Sequence, residues 1–257
     1  MGILNLTPDS FYDGGRYTRE EEFMIQTEKM LAAGADIIDV GAFSTRPGAR
    51  EVTEEDESNR LLPALSMLVK HFPGALFSVD TFRKNIAEAA LDHGAMMVND
   101  VSGGEFDAAM FDFIGERNVP YVLMHTTGKP ASMMKAPLGE EAVQLVKQFF
   151  ESRVSQLKAK GASQIILDPG FGFGKTLEGN YALLRNLSKL SVDELPLLSG
   201  VSRKSMVNKV LSTNPDSALN GSTVLHTLAL MQGTHFLRVH DVKEAVETIK
   251  ICKAFVK

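Results

Sequence analysis

Short apolar runs rich in β-formers recur along the chain, at Gly2–Asn5, Ile37–Val40, Ala75–Val79, Ala95–Val98, Val119–Met124, Gln164–Leu167, Leu197–Ser199 and Phe236–Val239. Each is bounded by Gly, Pro or polar residues, the pattern of a short buried strand. Stretches of helical period lie between them. The clearest is Asp241–Phe255, where Val242, Ala245, Val246, Ile249 and Cys252 draw one apolar stripe. Phe23, Thr27, Met30 and Leu31 mark an earlier helix, with Gly34 placed to stop it. Strand and helix alternate from end to end with no Pro/Gly/Ser-rich linker, so residues 1–257 are expected to form a single domain.

Alternating strands and helices imply a parallel sheet covered by helices. Eight strands in this length fit an α/β chain closed into a (β/α)8 TIM barrel, with a doubly wound open sheet as the alternative. The polar residues favour the barrel. Nearly every run ends, at its C-terminal side, in a group able to do chemistry. These groups are Asn5, Asp39, Asp80, Asn99 with Asp100, His125, Asp168, Ser202 with Arg203 and Lys204, and Arg238 with His240. A barrel gathers all its βα loops at one mouth, whereas an open sheet gathers only those near its switch point. Helix capping is the plainer explanation for any single Asp, Asn or Ser, and it suits Asp107 and Asp241. It does not suit Lys204, Arg238 or His240.

Composition removes several classes. Hydrophobic residues make up 44% and charged residues 23%, which excludes a disordered polar chain. No apolar run approaches the roughly 20 residues of a membrane helix, and no signal peptide is expected ahead of the first strand. The net charge of −5 argues against a nucleic-acid binder. A single cysteine, Cys252, rules out an internal disulfide and suits a reducing, cytoplasmic setting. It sits at a helical apolar position and reads as core, while His71, His93, His226 and His235 read as structural or solvent-facing. His125 reads as a core histidine at least as readily as a site residue.

Two loops stand out. Asn5-Leu6-Thr7-Pro8-Asp9-Ser10-Phe11-Tyr12-Asp13-Gly14-Gly15 follows the first strand and carries aromatics beside carboxylates. Ser44-Thr45-Arg46-Pro47-Gly48-Ala49-Arg50 follows the second, and its arginines suggest an anionic ligand or pairing with Glu51, Glu54 and Glu55. With these segments the chain resembles the dihydropteroate synthase family along essentially its whole length. The other matching segments are Val79-Asp80-Thr81, Asn99 to Gly104, Asp168 to Lys175, Ser202-Arg203-Lys204-Ser205 and Arg238-Val239-His240-Asp241. Each is weak alone, but together they stand in family order. Family members usually carry extra residues before the first-strand segment; such residues are expected under or beside the barrel, away from the mouth.

The resemblance implies a TIM barrel and a transferase of folate biosynthesis. It would condense p-aminobenzoate with 6-hydroxymethyl-7,8-dihydropterin pyrophosphate, releasing pyrophosphate with Mg²⁺ present. It also implies a homodimer formed through outer helices near the C-terminus, and a target of sulfonamides. Pterin contacts carry over to Asp80, Asn99, Met124, Asp168, Phe173, Lys204 and Arg238. Acceptors on separate strands suit the N–H edge of a pterin, and a planar guanidinium can stack on its face. Pyrophosphate contacts fall on Asn5, Arg46, Arg238 and His240, with Asn5 touching the metal and Asp13 ordering beside them. Phe11, Thr45 and Pro47 would wall p-aminobenzoate, and Ser205 would meet its carboxylate, unless Ser205 only caps a helix. The expected transition state is dissociative and needs no strong general base.

Two readings compete. Gly174-Lys175-Thr176 ends like a phosphate-binding P-loop, but Pro169 stands where that motif requires its first glycine. A pterin-binding methyltransferase barrel would share Asp80, Asn99 and Asp168 but should not need the first two loops or Ser202-Arg203-Lys204-Ser205, and the intact first two loops argue against a non-catalytic pterin-binding paralogue.

Overall fold

The structure is a computed structural model, and it describes residues 1–6, 16–43, 52–129 and 132–256. Six parallel strands lie side by side in chain order: β1 (Gly2–Asn5), β2 (Ile37–Gly41), β3 (Leu76–Asp80), β4 (Met97–Asp100), β5 (Tyr121–Met124) and β6 (Ile165–Asp168). Two shorter strands, β7 (Leu198–Ser199) and β8 (Phe236–Leu237), pair with each other. Parallel bridges join the two groups into a ring, Leu167 to Leu197 between β6 and β7, and Gly2 to Val239 between β8 and β1. Backbone hydrogen bonds from Leu167 N to Pro196 O (2.8 Å) and from Ile3 N to Val239 O (3.0 Å) make these seams. The chain is therefore a (β/α)8 barrel.

The outer layer consists, among the described residues, of α1 (Arg16–Ala32), α2 (Glu54–His71), α3 (Lys84–Asp92), α4 (Met110–Arg117), α5 (Ala142–Ala159), α6 (Leu177–Arg185), α7 (Ser205–Leu211), α8 (Leu219–Met231) and α9 (Val242–Val256). Both α7 and α8 fall between β7 and β8. The local chemistry is legible. At α2, Thr53 Oγ1 accepts from Asp56 N at 3.1 Å, the first turn is acidic and the last carries Lys70 and His71, as the helix dipole favours. Gly34, at φ +95°, stands just past α1 and ends it as expected.

Side chains alternate across each strand. Ile38, Val40, Phe77, Val79, Val98, Tyr121, Leu123, Ile165 and Leu167 join the core against the helices. Ile37, Met97, Val122, Ile166 and Leu198 form a separate apolar cluster, which is the barrel interior. The interior set fixes the site. Two residues beyond Ile37, Met97, Val122 and Ile166 stand Asp39, Asn99, Met124 and Asp168, so these point inward at the C-terminal edge. The parallel register adds Asn5, opposite Gly41, and Asp80, opposite Asn99.

The expected strand bounds differ from those observed by a residue or two at some ends. The runs expected at Ala75–Val79, Ala95–Val98 and Gln164–Leu167 close on Asp80, Asp100 and Asp168. The hydrophobic signal stops at the last apolar residue, while the ladder continues through the polar group at the mouth.

Candidate active site

At the mouth, Arg238 lies between two carboxylates. Its Nε donates to Asp39 Oδ2 at 2.7 Å and its Nη2 to Asp80 Oδ2 at 2.6 Å. Asn99 Nδ2 donates to the same Asp39 oxygen at 2.9 Å. The side chains of β2, β3, β4 and the end of β8 are thus tied into one network. Burial works against the charge of Arg238, but Asp39 and Asp80 outweigh it and hold its basicity above the ordinary arginine value. Asp80 is pushed up from the usual carboxylate range, first by burial and then by Asp39, with Arg238 opposing. Asp39 Oδ1 is buried without a hydrogen-bond partner among the described residues.

The opposite wall is built on β5, β6 and the loop after β7. Asp168 is buried, and its Oδ1 accepts from Gly170 N at 2.8 Å. Burial raises its pKa, while Lys204 and the Gly170 N–H draw it back. Gly170 has φ +66°, and a Cβ there would collide with the His125 carbonyl oxygen, so only glycine lets this turn pass so close to β5. Lys204 donates from Nζ to Phe171 O, and the same Nζ lies 4.6 Å from the Phe173 ring centre. Burial lowers Lys204 to about 8, with Asp168 opposing. Met124 is buried beside this group.

His240 sits at the rim, where Ser202 Oγ accepts from its backbone N–H at 3.2 Å and lies 3.1 Å from its Nδ1. Arg203, at φ +55°, holds Asp241 through two bonds of 2.9 and 2.6 Å. The Asp241 carboxylate therefore pairs with arginine rather than capping α9. Asp107 does cap: its Oδ2 accepts from Lys84 N, the first residue of α3, at 2.8 Å. Ser205 is exposed at the first position of α7, while the cap position belongs to Lys204. The helix-cap reading of Ser205 is thus set aside.

The structure brings together Asn5, Asp80, Asn99, Met124, Asp168, Phe173, Lys204 and Arg238 at one mouth, with Ser205 at the start of α7 and His240 on the loop after β8. Phe11, Asp13, Thr45, Arg46 and Pro47 lie outside the described residues. Sequence reasoning assigned no site role to Asp39, although its place two residues after the inward Ile37 carried the signal. Lys175 is 3% exposed, with Nζ turned inward onto backbone carbonyls, so it is no phosphate-binding lysine. His125 is buried, packs edge-on against Phe149 with ring centres 5.0 Å apart, and is a core histidine.

The family described as pterin binding enzyme matches residues 1–240. The dihydropteroate synthase of Escherichia coli K12 is 40% identical over 256 residues, covering 99% of this chain and 90% of that protein. A crystal structure of the Yersinia pestis dihydropteroate synthase with a sulfonamide drug superposes with a TM-score of 0.92 at 40% identity, covering 99% of this chain and 93% of that one. The Xanthomonas albilineans enzyme in complex with 7,8-dihydropteroate gives 0.88 at 33% identity, covering 99% and 92%.

Proposed function

The chain belongs to the dihydropteroate synthase family, and on that footing we propose how its mouth carries out the transfer. The enzyme is a transferase of folate biosynthesis. It condenses p-aminobenzoate with 6-hydroxymethyl-7,8-dihydropterin pyrophosphate to give 7,8-dihydropteroate and pyrophosphate. The pterin methylene carbon loses its bond to the pyrophosphate oxygen and gains one to the amine nitrogen, which sheds a proton.

The observation that supports this reading best is the inward set Asp80, Asn99 and Asp168 flanked by Lys204 and Arg238. The acceptors read the N–H edge of the pterin, and Lys204 donates to its ring carbonyl. The Arg238 guanidinium, locked in plane by Asp39 and Asp80, lies along the ring face. Phe173 and Met124 supply apolar contact. Asn5, Arg46, Arg238 and His240 receive the departing pyrophosphate charge, and Asp13 orders beside them. Phe11, Thr45, Pro47 and Ser205 hold p-aminobenzoate so that its neutral amine faces the carbon. No strong base is required.

Mg²⁺ belongs with the pyrophosphate. Asn5 offers one neutral amide oxygen, and no cluster of three metal-binding His, Cys, Asp or Glu side chains occurs among the described residues. Such a donor suits an ion that keeps several waters and takes phosphate oxygens as its other ligands. When bound, it would neutralise charge on the leaving group.

A homodimer is supported by an apolar face on adjoining outer helices, where Val210 of α7, Val224, Leu228 and Met231 of α8, and Ile251 and Phe255 of α9 are all exposed. Leu228→Glu with Phe255→Glu should give a monomer by light scattering. A cytoplasmic location fits the lone buried thiol of Cys252. No described helix is long and apolar enough to cross a membrane.

Pyrophosphate release in the presence of both substrates tests the function. Release that requires p-aminobenzoate and yields dihydropteroate is the expected result. Pterin binding without release would favour a paralogue that has lost catalysis.

A further inference from the structure

We propose that Lys175 is a positioning residue for the pterin half of the reaction: its ammonium pins the turn between β6 and α6 to the end of β5, and so sets where Phe173 and Lys204 stand. The inference rests on reading Asp168, Phe173 and Lys204 as pterin contacts.

Lys175 Nζ donates to Gly170 O at 2.9 Å and to Phe173 O at 2.8 Å. It also meets His125 Nδ1 at 3.0 Å and His125 O at 3.2 Å. An ammonium has three protons, and here all face neutral acceptors. Burying a cation this way is costly, and an apolar residue would fill the space more cheaply. The arrangement makes sense through what it gathers. The carbonyls of Gly170 and Phe173 converge on one point and would repel each other without a cation between them. The same turn presents Phe171 O to Lys204 on its other side and places the Phe173 ring beside Lys204. Two lysines therefore grip one turn, Lys175 from the interior and Lys204 from the mouth. Asn180 Oδ1 holds Gly172 N at 2.7 Å and secures the middle.

The charged and titratable groups around this turn are His125 just after β5, Asp168 from β6, Lys204 after β7 and Arg238 after β8. His125 stays neutral, lowered to about 3 by burial and by Lys175, which leaves Nδ1 free to accept. Lys175 is lowered to about 7 by burial, with Asp168 opposing and Lys204 adding. Lys175 is also among the cations that draw Asp168 toward its ionised form. Removing its charge should move Asp168 up as well as loosen the turn.

Lys175→Met is compared with wild type and with Asp168→Asn. Binding of an unreactive pterin is followed by calorimetry from pH 5 to 8, together with both Michaelis constants and the melting temperature. The expected result is a pterin dissociation constant raised about tenfold, an acid limb displaced to higher pH, and an unchanged Michaelis constant for p-aminobenzoate. A lower melting temperature with unchanged pterin affinity and an unmoved acid limb would make Lys175 merely structural. If Lys175→Met does not fold, His125→Leu is read instead. It removes one acceptor and leaves the carbonyls, so pterin should bind about threefold more weakly, and unchanged binding overturns the inference. Full pterin affinity in Asp168→Asn would remove the site reading itself and the inference with it. Weakened binding in Asp168→Asn alone would overturn only the role of Lys175.

Discussion

The two walls of the mouth hold their cations in opposite ways. On one side Arg238 is fixed by the carboxylates of Asp39 and Asp80. On the other, Lys175 and Lys204 rest on the backbone carbonyls of a turn. Arginine keeps its proton when buried, and its fork can serve two carboxylates at once. An ammonium loses basicity on burial, and carbonyls do not restore it. The first wall is therefore a permanent charge, and the second is charged in a pH-dependent way, with lysines lowered to about 7 and about 8.

The largest effect should come from breaking the permanent wall. Arg238→Met leaves the buried carboxylate of Asp39 and that of Asp80 without their cation, at an expected cost of about 3–5 kcal/mol in denaturant unfolding. The deficit should shrink as pH falls, because protonating Asp80 relieves it, and adding Asp39→Asn should recover part of it. A small, pH-independent loss would mean that the network contributes little.

On the second wall, Asp168→Asn should weaken pterin binding by about tenfold to more than a hundredfold, measured by calorimetry with an unreactive pterin and with the fold retained. Lys204 then separates the walls by pH. Its folded pKa lies below the unfolded one, so between about 8 and 10.5 the unfolded chain binds more protons and stability rises with pH. The stability of wild type relative to Lys204→Met should climb across that window in urea melts. The corresponding difference for Arg238→Met should show no such alkaline rise.

Ser205→Ala should have the smallest effect. Ser205 does not occupy the cap position of α7. The Michaelis constant for p-aminobenzoate should rise about fivefold with the melting temperature unchanged. A lower melting temperature with an unchanged constant would return Ser205 to a structural role.

All eight strands were legible as apolar runs, because a buried parallel strand has little polar sequence to confuse the signal. The last residues of β3, β4 and β6 were not, since there the ladder continues into Asp80, Asp100 and Asp168, where the apolar run has ended. Most of the inward groups at the mouth could be read from polar strand ends and the family resemblance. Asp39 and Lys175 escaped assignment because each acts on another protein group rather than facing outward. Asp39 works through Arg238, 199 positions away, a pairing no local pattern contains. Lys175 follows a glycine-rich stretch, and only the fold shows that its ammonium points to the interior. Asp241 had the right place for a cap, but the pairing with Arg203 depends on how two mouth loops meet.

The ring closes where β8 meets β1, and the guanidinium of Arg238 reaches Asp39 and Asp80 from the last strand. Bringing such distant segments together is the entropically slow part of assembly, because the connecting chain must be ordered before the contact forms. Asp39 and Asp80 are made early in synthesis and wait unpaired for a partner that emerges near the end. Any nascent chain short of residue 238 carries two inward carboxylates and no counter-charge from β8. The network of Asp39, Asp80 and Asn99 is thus completed by the last strand to be made, and its cation reaches it only when the ring closes.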